Sequence, residues 1–350
     1  MRRREGMSKP TVNDIAREAG VSLATVDRVL NARPGVRDST IAAVHEAISR
    51  LGYVRDIAAA NLARQRSYPL VVALPATSSQ SVQTLMEALK DAAAQAAAAR
   101  VEVEMLRFPP EDAHALAASL SALPATTAGV ALMAPATPVV RDAVRALRSR
   151  GIPVVTLVSD LPDTERDHFV GIDGVAAGRT AGLLMGRFLG GRQGPVMVLA
   201  QSMLLRDSID RRHGFDAVMQ LDFPALTVLP TVESHGSSAT MRAAVCEAVR
   251  TEGPPIGIYL LGSGTRHLAE VLGELPLPER PAVIGHDLTP FTRQALQEGW
   301  LDAVVTQNLG HLARSALRVL RARADGMAID QDQERLRIDI VLRENLPAEN

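Results

Sequence analysis

Apolar residues recur at helical spacing through the first fifty positions. Val12, Ile15, Ala16 and Ala19 share one face of a short helix, Gly20 supplies a turn, and Val21, Val26, Val29 and Leu30 continue that face on a second helix. The outer side of the second helix is left with Leu23, Ala24, Asp27, Arg28 and Asn31. After Arg33-Pro34-Gly35, Asp38 or Ser39 caps a third helix whose Ile41, Val44, Ile48 and Leu51 face the same core. This is the helix-turn-helix arrangement, in which the outer row of the second helix enters a DNA major groove. A plain helical hairpin packing a small core is the competing reading. Residues 54–67 have little apolar surface and make a poor helix on their own.

From Pro69 onward the pattern changes to strand and helix in alternation. Strands are expected at 70–74, 101–106, 129–133 and 154–158, with helices at 81–100, 111–123 and 139–150 between them. A second set has strands at 170–172, 196–200, 226–229, 256–261 and 282–285, separated by helices at 175–189, 208–219, 238–251 and 266–272 and followed by one at 291–298. Alternation of this kind implies parallel sheets covered on both faces. The fold class is therefore α/β: an all-α helix-turn-helix headpiece followed by two doubly wound parallel-sheet lobes. Gly174, Gly178, Gly182 and Gly186 recur every fourth residue and give one helix a bare stripe, expected to approach its sheet closely. Arg179 and Arg187 on that helix exclude a membrane dimer stripe.

A chain of 350 residues exceeds one core of ordinary size. With 47% apolar and 22% charged residues it is globular in composition, and it has no apolar run long enough to span a membrane. The basic start, MRRREGMSKP, is followed by no apolar stretch of the kind a secretory signal needs. A single cysteine, Cys246, allows no internal disulfide, and the expected compartment is the cytoplasm. The net charge of −1 hides an asymmetry. Up to Arg66 there are twelve Lys and Arg against seven acids, a net of +5 that leaves −6 for the remainder. A basic head suits phosphate, and an acidic body is repelled by it.

The residues Asp14-Ile15-Ala16, Ala19-Gly20-Val21-Ser22, Thr25-Val26, Arg28-Val29-Leu30-Asn31 and Leu51-Gly52-Tyr53 resemble the headpiece signature of the lactose-repressor (LacI) family of bacterial transcription regulators. The resemblance continues through Val170-Gly171-Ile172-Asp173 with Ala177-Gly178, Arg211 ahead of Gly214-Phe215, Ile284-Gly285-His286-Asp287, Val305-Thr306-Gln307 and Arg343-Glu344-Asn345. It implies a headpiece at 9–54 and a hinge helix at 55–68. The effector domain it implies resembles a type I periplasmic sugar-binding protein, with an N-terminal lobe at 69–168 and 308–326 and a C-terminal lobe at 169–307 and 327–346. Three crossings between lobes are implied, near Asp167, near Gln307 and after Gly326.

The same resemblance implies a homodimer on double-stranded DNA, at a pseudo-palindromic operator, with contacts from Thr11, Ser22, Leu23, Ala24, Thr25, Asp27, Arg28, Asn31, Tyr53, Asn61 and Leu62. Leu62 matches the leucine that the family wedges into the minor groove. The family's Pro-Asn after the tyrosine is here Arg55-Asp56, and its Ala-Arg before the wedge is Ala59-Ala60. A linker leucine packed on the next domain is the other reading of Leu62. At Asp27 the family usually has serine. An acid there is repelled by phosphate, paired with Arg28, or placed to accept from a cytosine amino group.

Strand ends are where a doubly wound fold holds small ligands. Asp287 offers a carboxylate, Arg211 a planar fork of donors, and Gln307 both donors and acceptors; all three match the family's ligand-contacting positions. The buried ion pair or cap is the alternative role for Asp287 and Arg211. Thr77, Ser78 and Ser79, Thr137, and Ser159 and Asp160 follow other strands. The loop 75–81 lacks the aromatic residues the family often has, and Gly262 and Ser263 replace its usual asparagine and aspartate. Phe291 and Trp300 are among the few aromatics on offer, so a pentose, a polyol, a sugar acid or another small polar effector all remain open.

Catalysis has no positive support. Gly262-Ser263-Gly264 is half of a dinucleotide fingerprint, but His267 stands where its third glycine belongs, so a plain strand-to-helix turn is expected. No G-x-S-x-G elbow, P-loop or metal-spaced cluster occurs, and His213, His235, His267 and His286 stand singly. The expected protein is a non-enzymatic DNA-binding transcription regulator, a repressor, controlled by a small sugar-like effector bound between the two lobes and needing no cofactor or metal. A cytosolic sugar-binding module without DNA function is the alternative.

Overall fold

A computed structural model describes residues 10–30, 33–53 and 66–348, in two compact units that divide after Arg66. Asn31, Asn61 and Leu62 lie outside the described residues. The first unit has three helices, α1 (Val12–Ala19), α2 (Leu23–Leu30) and α3 (Asp38–Leu51). Ile15, Val26 and Val44, one from each helix, are fully buried at its centre, with Ala16, Val29 and Ala47 around them. Gly20 ends α1 at φ 63°, a left-handed conformation that a side chain resists, and its amide reaches the Ala16 and Arg17 carbonyls. Arg50 on α3 ties down α1 by pairing with Glu18 at 3.1 Å.

The second unit opens with β1 (Tyr68–Pro75), α4 (Gln80–Ala96), β2 (Val101–Phe108), α5 (Ala113–Ser121), β3 (Gly129–Leu132), α6 (Pro138–Ser149), β4 (Val154–Leu157) and β5 (His168–Val170). Their sheet is wholly parallel, in the order β2-β1-β3-β4-β5. Leu70, Val71, Val72, Ala73 and Leu74 are all buried, as a central parallel strand covered on both faces requires.

The other lobe contains α7 (Gly174–Leu189), β6 (Gly194–Ala200), α8 (Arg206–Asp222), β7 (Leu226–Glu233), α9 (Ser238–Glu252), β8 (Gly257–Leu260), α10 (Thr265–Glu274), β9 (Ala282–His286), α11 (Pro290–Glu298) and β10 (Ala303–Thr306). Next, α12 (Leu309–Ala324) returns to pack on the first sheet, and β11 (Asp339–Val341) closes the second. The second sheet runs β11-β10-β9-β8-β6-β7, with only β11 antiparallel. The chain thus passes between the sheets three times. Gln307 Oε1 accepts from the Ile172 amide at 3.2 Å and joins the first two passages. Glu334 anchors the third to α12 through Arg318 and Ser315.

Three expectations need correction. Asp38 and Ser39 lie inside α3, whose first turn follows Arg37 without a side-chain cap. The strand expected at 170–172 to open the second lobe lies instead at 168–170, as β5, and forms the edge strand of the first sheet, pairing Leu157 with Val170. The Asp167 carboxylate fixes that edge, accepting from the Val154 amide at 2.8 Å and pairing with Arg148 at 3.1 Å. The glycine stripe of α7 faces α8, not the sheet. A methyl on Gly178 would stand 2.0 Å from the Arg211 carbonyl oxygen, and one on Gly214 of α8 would stand 2.0 Å from that of Val175. The two helices therefore approach backbone to backbone at a pair of facing glycines. Among the described residues, no helix is long and apolar enough to cross a membrane.

Candidate functional site

The headpiece leaves the outer row of α2 exposed. Thr11 starts α1 through a reciprocal cap with Asp14: its amide and hydroxyl donate to Asp14 Oδ2 at 2.9 and 2.7 Å, and these bonds hold the Asp14 carboxyl below its usual pKa. Ser22 starts α2, its hydroxyl accepting from the Thr25 amide at 3.2 Å and sharing a 2.9 Å bond with the Thr25 hydroxyl. With Val26 and Val29 sealed into the core, Leu23, Ala24 and Arg28 are left exposed, Leu23 by 51%. Asp27 pairs with Arg33 at 3.4 Å, from the segment after α2, and not with the adjacent Arg28. Tyr53 packs on the headpiece core, its amide bonded to the Ile48 carbonyl at 3.0 Å.

In the second unit a cavity of about 90 Å³ lies between the lobes, at the carboxyl ends of both sheets. Pro75, Phe108, Met133 and Val158 line it from one side, and Gln201, Asp207, Arg211, Ser263 and Asp287 from the other. Arg211 and Asp287 are thereby brought together. Arg211 is 2% exposed; its Nη1 donates to the Leu261 carbonyl at 2.6 Å and pairs with Asp207 at 3.2 Å, while its Nε is buried without a partner. Burial pushes the Asp287 carboxyl above its ordinary pKa, against the pull of Arg211 and a hydrogen bond from Ser81. Both Asp287 and Val158 adopt left-handed backbone, at φ 66° and 63°, and strained residues of this kind collect at ligand sites. Gln307 lies beside Asp287 and Ser81 in an adjoining crevice.

A second, larger cavity of about 330 Å³ continues outward and shares Thr77, Ser81, Gln201, Gly262 and Ser263 with the first. Ser78 and Ser79 line it, and Ser79 Oγ meets Ser263 Oγ across the lobes at 2.7 Å. Two more bonds cross the cleft: Phe291 amide to Gln80 Oε1 at 3.3 Å, and Asp207 amide to Ser159 Oγ at 3.4 Å. Thr137 and Asp160 are not brought into these two cavities; Asp160 lines a separate one of about 600 Å³, shared with Asp207 and Arg211. Thr137 caps α6, accepting from the Val140 amide, and Asp160 is taken by Arg166, Thr156 and the Leu161 amide. Sequence reasoning passed over Ser81, Gln201, Asp207 and Val158, although all lie within eight residues of a strand's end.

His286 forms part of the support. It is buried, bonded through Nε2 to the Tyr259 hydroxyl at 2.7 Å, and Tyr259 stacks on Phe215 at 4.5 Å. Burial and then Arg211 hold the imidazole pKa well below its usual value. This ladder links β9, β8 and α8 behind the cavity wall.

Residues 70–328 match the family described as a periplasmic binding protein domain, and residues 11–56 match bacterial regulatory proteins of the lacI family. The chain is 41% identical over 83 residues to catabolite control protein A of Priestia megaterium, covering 24% of this chain and 25% of that protein. It is 41% identical over 81 residues to the HTH-type transcriptional regulator RegA of Clostridium saccharobutylicum, covering 23% and 24%. These matches span about a quarter of the length of the curated relatives. Among solved structures, GanP, a glucose-galactose binding protein from Geobacillus stearothermophilus, is similar with a TM-score of 0.71 at 19% identity, over 81% of this chain and all of that one. A solute-binding protein of Burkholderia graminis in complex with D-arabinose has a TM-score of 0.70 at 20% identity, over 80% of this chain and 96% of that one. At these identities the likeness shows the fold, two lobes around a cleft. The chain belongs to the periplasmic binding protein domain family, and it carries a lacI-family headpiece at residues 11–56.

Proposed function

We propose that this protein is a cytoplasmic, DNA-binding transcription regulator, a repressor, controlled by a small sugar-like effector bound between its lobes. The observation that carries the reading is the exposed row of Leu23, Ala24 and Arg28 on a helix whose opposite side is sealed into its core. Leu23 and Ala24 meet thymine methyls, Arg28 and the hydroxyls of Ser22 and Thr25 take base edges or phosphates, and Thr11, Asn31 and Tyr53 fix the register. A homodimer places two copies on a pseudo-palindrome, with Asn61 and Leu62 at its centre. The names of the matched relatives, a catabolite control protein and a transcriptional regulator, support this reading.

The effector is held by Arg211, Asp287 and Gln307, with Ser78 and Ser79 closing from the other lobe; Thr137 and Asp160 act only if their present bonds open. The switch is a change in lobe closure. The Ser79–Ser263, Gln80–Phe291 and Ser159–Asp207 bonds exist only when the lobes meet, so a ligand that favours closure stabilises all three. Selection of binding sites from a randomised duplex pool with the full chain tests the DNA arm. A pseudo-palindrome is expected, bound on the order of a thousandfold more tightly than random DNA at physiological salt. A pool with no sequence enrichment sinks the reading.

A further inference from the structure

The outer cavity has a composition that the reading above leaves unused. Its 330 Å³ is lined by hydroxyls, amides, glycines, Phe291, two histidines and Arg266, without one aspartate or glutamate. In a chain with 39 acids, an acid-free cavity of this size next to an acid-lined one is a selective environment.

Helix starts converge on it. Helix α10 begins there after Gly262-Ser263-Gly264, with Gly264 at φ 126°, and no side chain caps it. Helix α4 begins there after Ser79, again without a side-chain cap. The first amides of each helix have no acceptor within it, and each start carries about half a positive charge. Thr265, the first residue of α10, lines the cavity at 6% exposure, and its hydroxyl has no hydrogen-bond partner among the described residues. His267 lines the same wall, with its Nδ1 sealed away from the cavity. The Arg266 guanidinium is held 5.3 Å from the centre of the Phe291 ring, at the cavity's edge. A buried residue whose hydroxyl lacks a partner in the protein and lines a cavity leaves that hydroxyl available to a ligand.

We infer that the effector is a polyhydroxylated molecule bearing an oxyanion, a phosphate or a carboxylate, which docks in this outer cavity on the α10 start, Thr265 and Arg266. Its hydroxyls reach inward to Arg211 and Asp287. The glycine turn that fails as a dinucleotide fingerprint serves here as a short oxyanion cradle. This inference rests on the reading of the cleft as the effector site.

Binding of inorganic phosphate to the full chain, followed by 31P line broadening and calorimetry against chloride at equal ionic strength, tests the cradle directly. Saturable millimolar binding is expected, weakened about tenfold in Arg266→Ala and measurably in Thr265→Val, since loss of one charge-assisted bond is of that order. Melting without ligand checks that both variants fold. Thermal shifts with a panel of neutral pentoses and hexoses, their phosphate monoesters and their aldonates then identify the anion. An ester or an aldonate is expected to outrank its neutral parent in the wild type and to lose that advantage in Arg266→Ala. Absence of saturable phosphate binding, variants that bind like wild type, or neutral parents that match their anionic forms overturns the inference. Operator selection is scored separately, so failure there with anion binding intact removes the regulator reading alone.

Discussion

Gly178→Ala sets two physical effects of opposite sign against each other. In an exposed helix, alanine stabilises relative to glycine by about 1 kcal/mol. Here the new methyl lies 2.0 Å from the Arg211 carbonyl oxygen, whereas ordinary contacts begin at 3.4 Å, so α7 and α8 must part by more than an ångström. The obstacle is backbone, which has no rotamer to escape through. Overpacking of a tight core costs about 1–3 kcal/mol and sometimes more, and a gap of that size forfeits a large part of the van der Waals contact along the interface. The net loss is about 2 kcal/mol, or roughly 4–8 °C in the thermal midpoint for a unit of this size. Because the displaced carbonyl belongs to Arg211, ligand binding falls as well. Gly273→Ala is the control: Gly273 lies within α10 with nothing within 4 Å of the added methyl, and its melting point is expected to rise. Differential scanning calorimetry of both variants decides the matter. A Gly178→Ala protein as stable as Gly273→Ala would show that the backbone approach of α7 to α8 is not tight.

Three other outcomes follow from the same structure. Ile15→Ala opens a cavity at the centre of the headpiece worth about 2–5 kcal/mol, comparable with the whole stability of so small a unit; DNA binding is expected to vanish while effector binding persists, and retained operator affinity would contradict the core assignment. Asp27→Ser removes an ion pair whose members are 46% and 58% exposed, so stability should change by less than about 0.5 kcal/mol, and a changed operator preference in site selection marks Asp27 as a base reader. Asp287→Asn addresses the raised carboxyl pKa. A carboxyl whose pKa is raised on folding contributes stability below its unfolded pKa of about 3.9 and loses it as pH rises through the folded value. The variant should therefore melt above wild type at pH 7, a gap that closes toward pH 4, and should bind effector poorly; a lower midpoint at pH 7 runs against the assignment.

What could be read in the sequence depends on the range over which each feature is determined. The headpiece is local: Ile15, Val26 and Val44 fall on helical faces set by neighbours three and four residues away, and the caps at Thr11 and Ser22 are residues of the expected kind. The alternation of the body is also local. The placement of 168–170 is not, because His-Phe-Val has no periodicity and its sheet is chosen by Asp167 bonding to a backbone amide thirteen residues earlier. The glycine stripe revealed a face but not its partner, although Gly214 on α8 was the matching signal. Strand-end position points to Arg211, Asp287 and Gln307, which line the inner cavity and its adjoining crevice, yet it proposes Asp160 and Thr137 with equal right. The strand-end rule finds carboxylates and hydroxyls near a cleft, but their availability depends on the next shell of contacts. Asp160 lines a cavity too but is spent on Arg166, six residues on, whereas Asp287 keeps a raised pKa and a strained backbone. Unspent hydrogen-bonding capacity therefore distinguishes the candidates better than strand-end position does. The same criterion selects the Thr265 hydroxyl, on the wall of the outer cavity, as the next position to test.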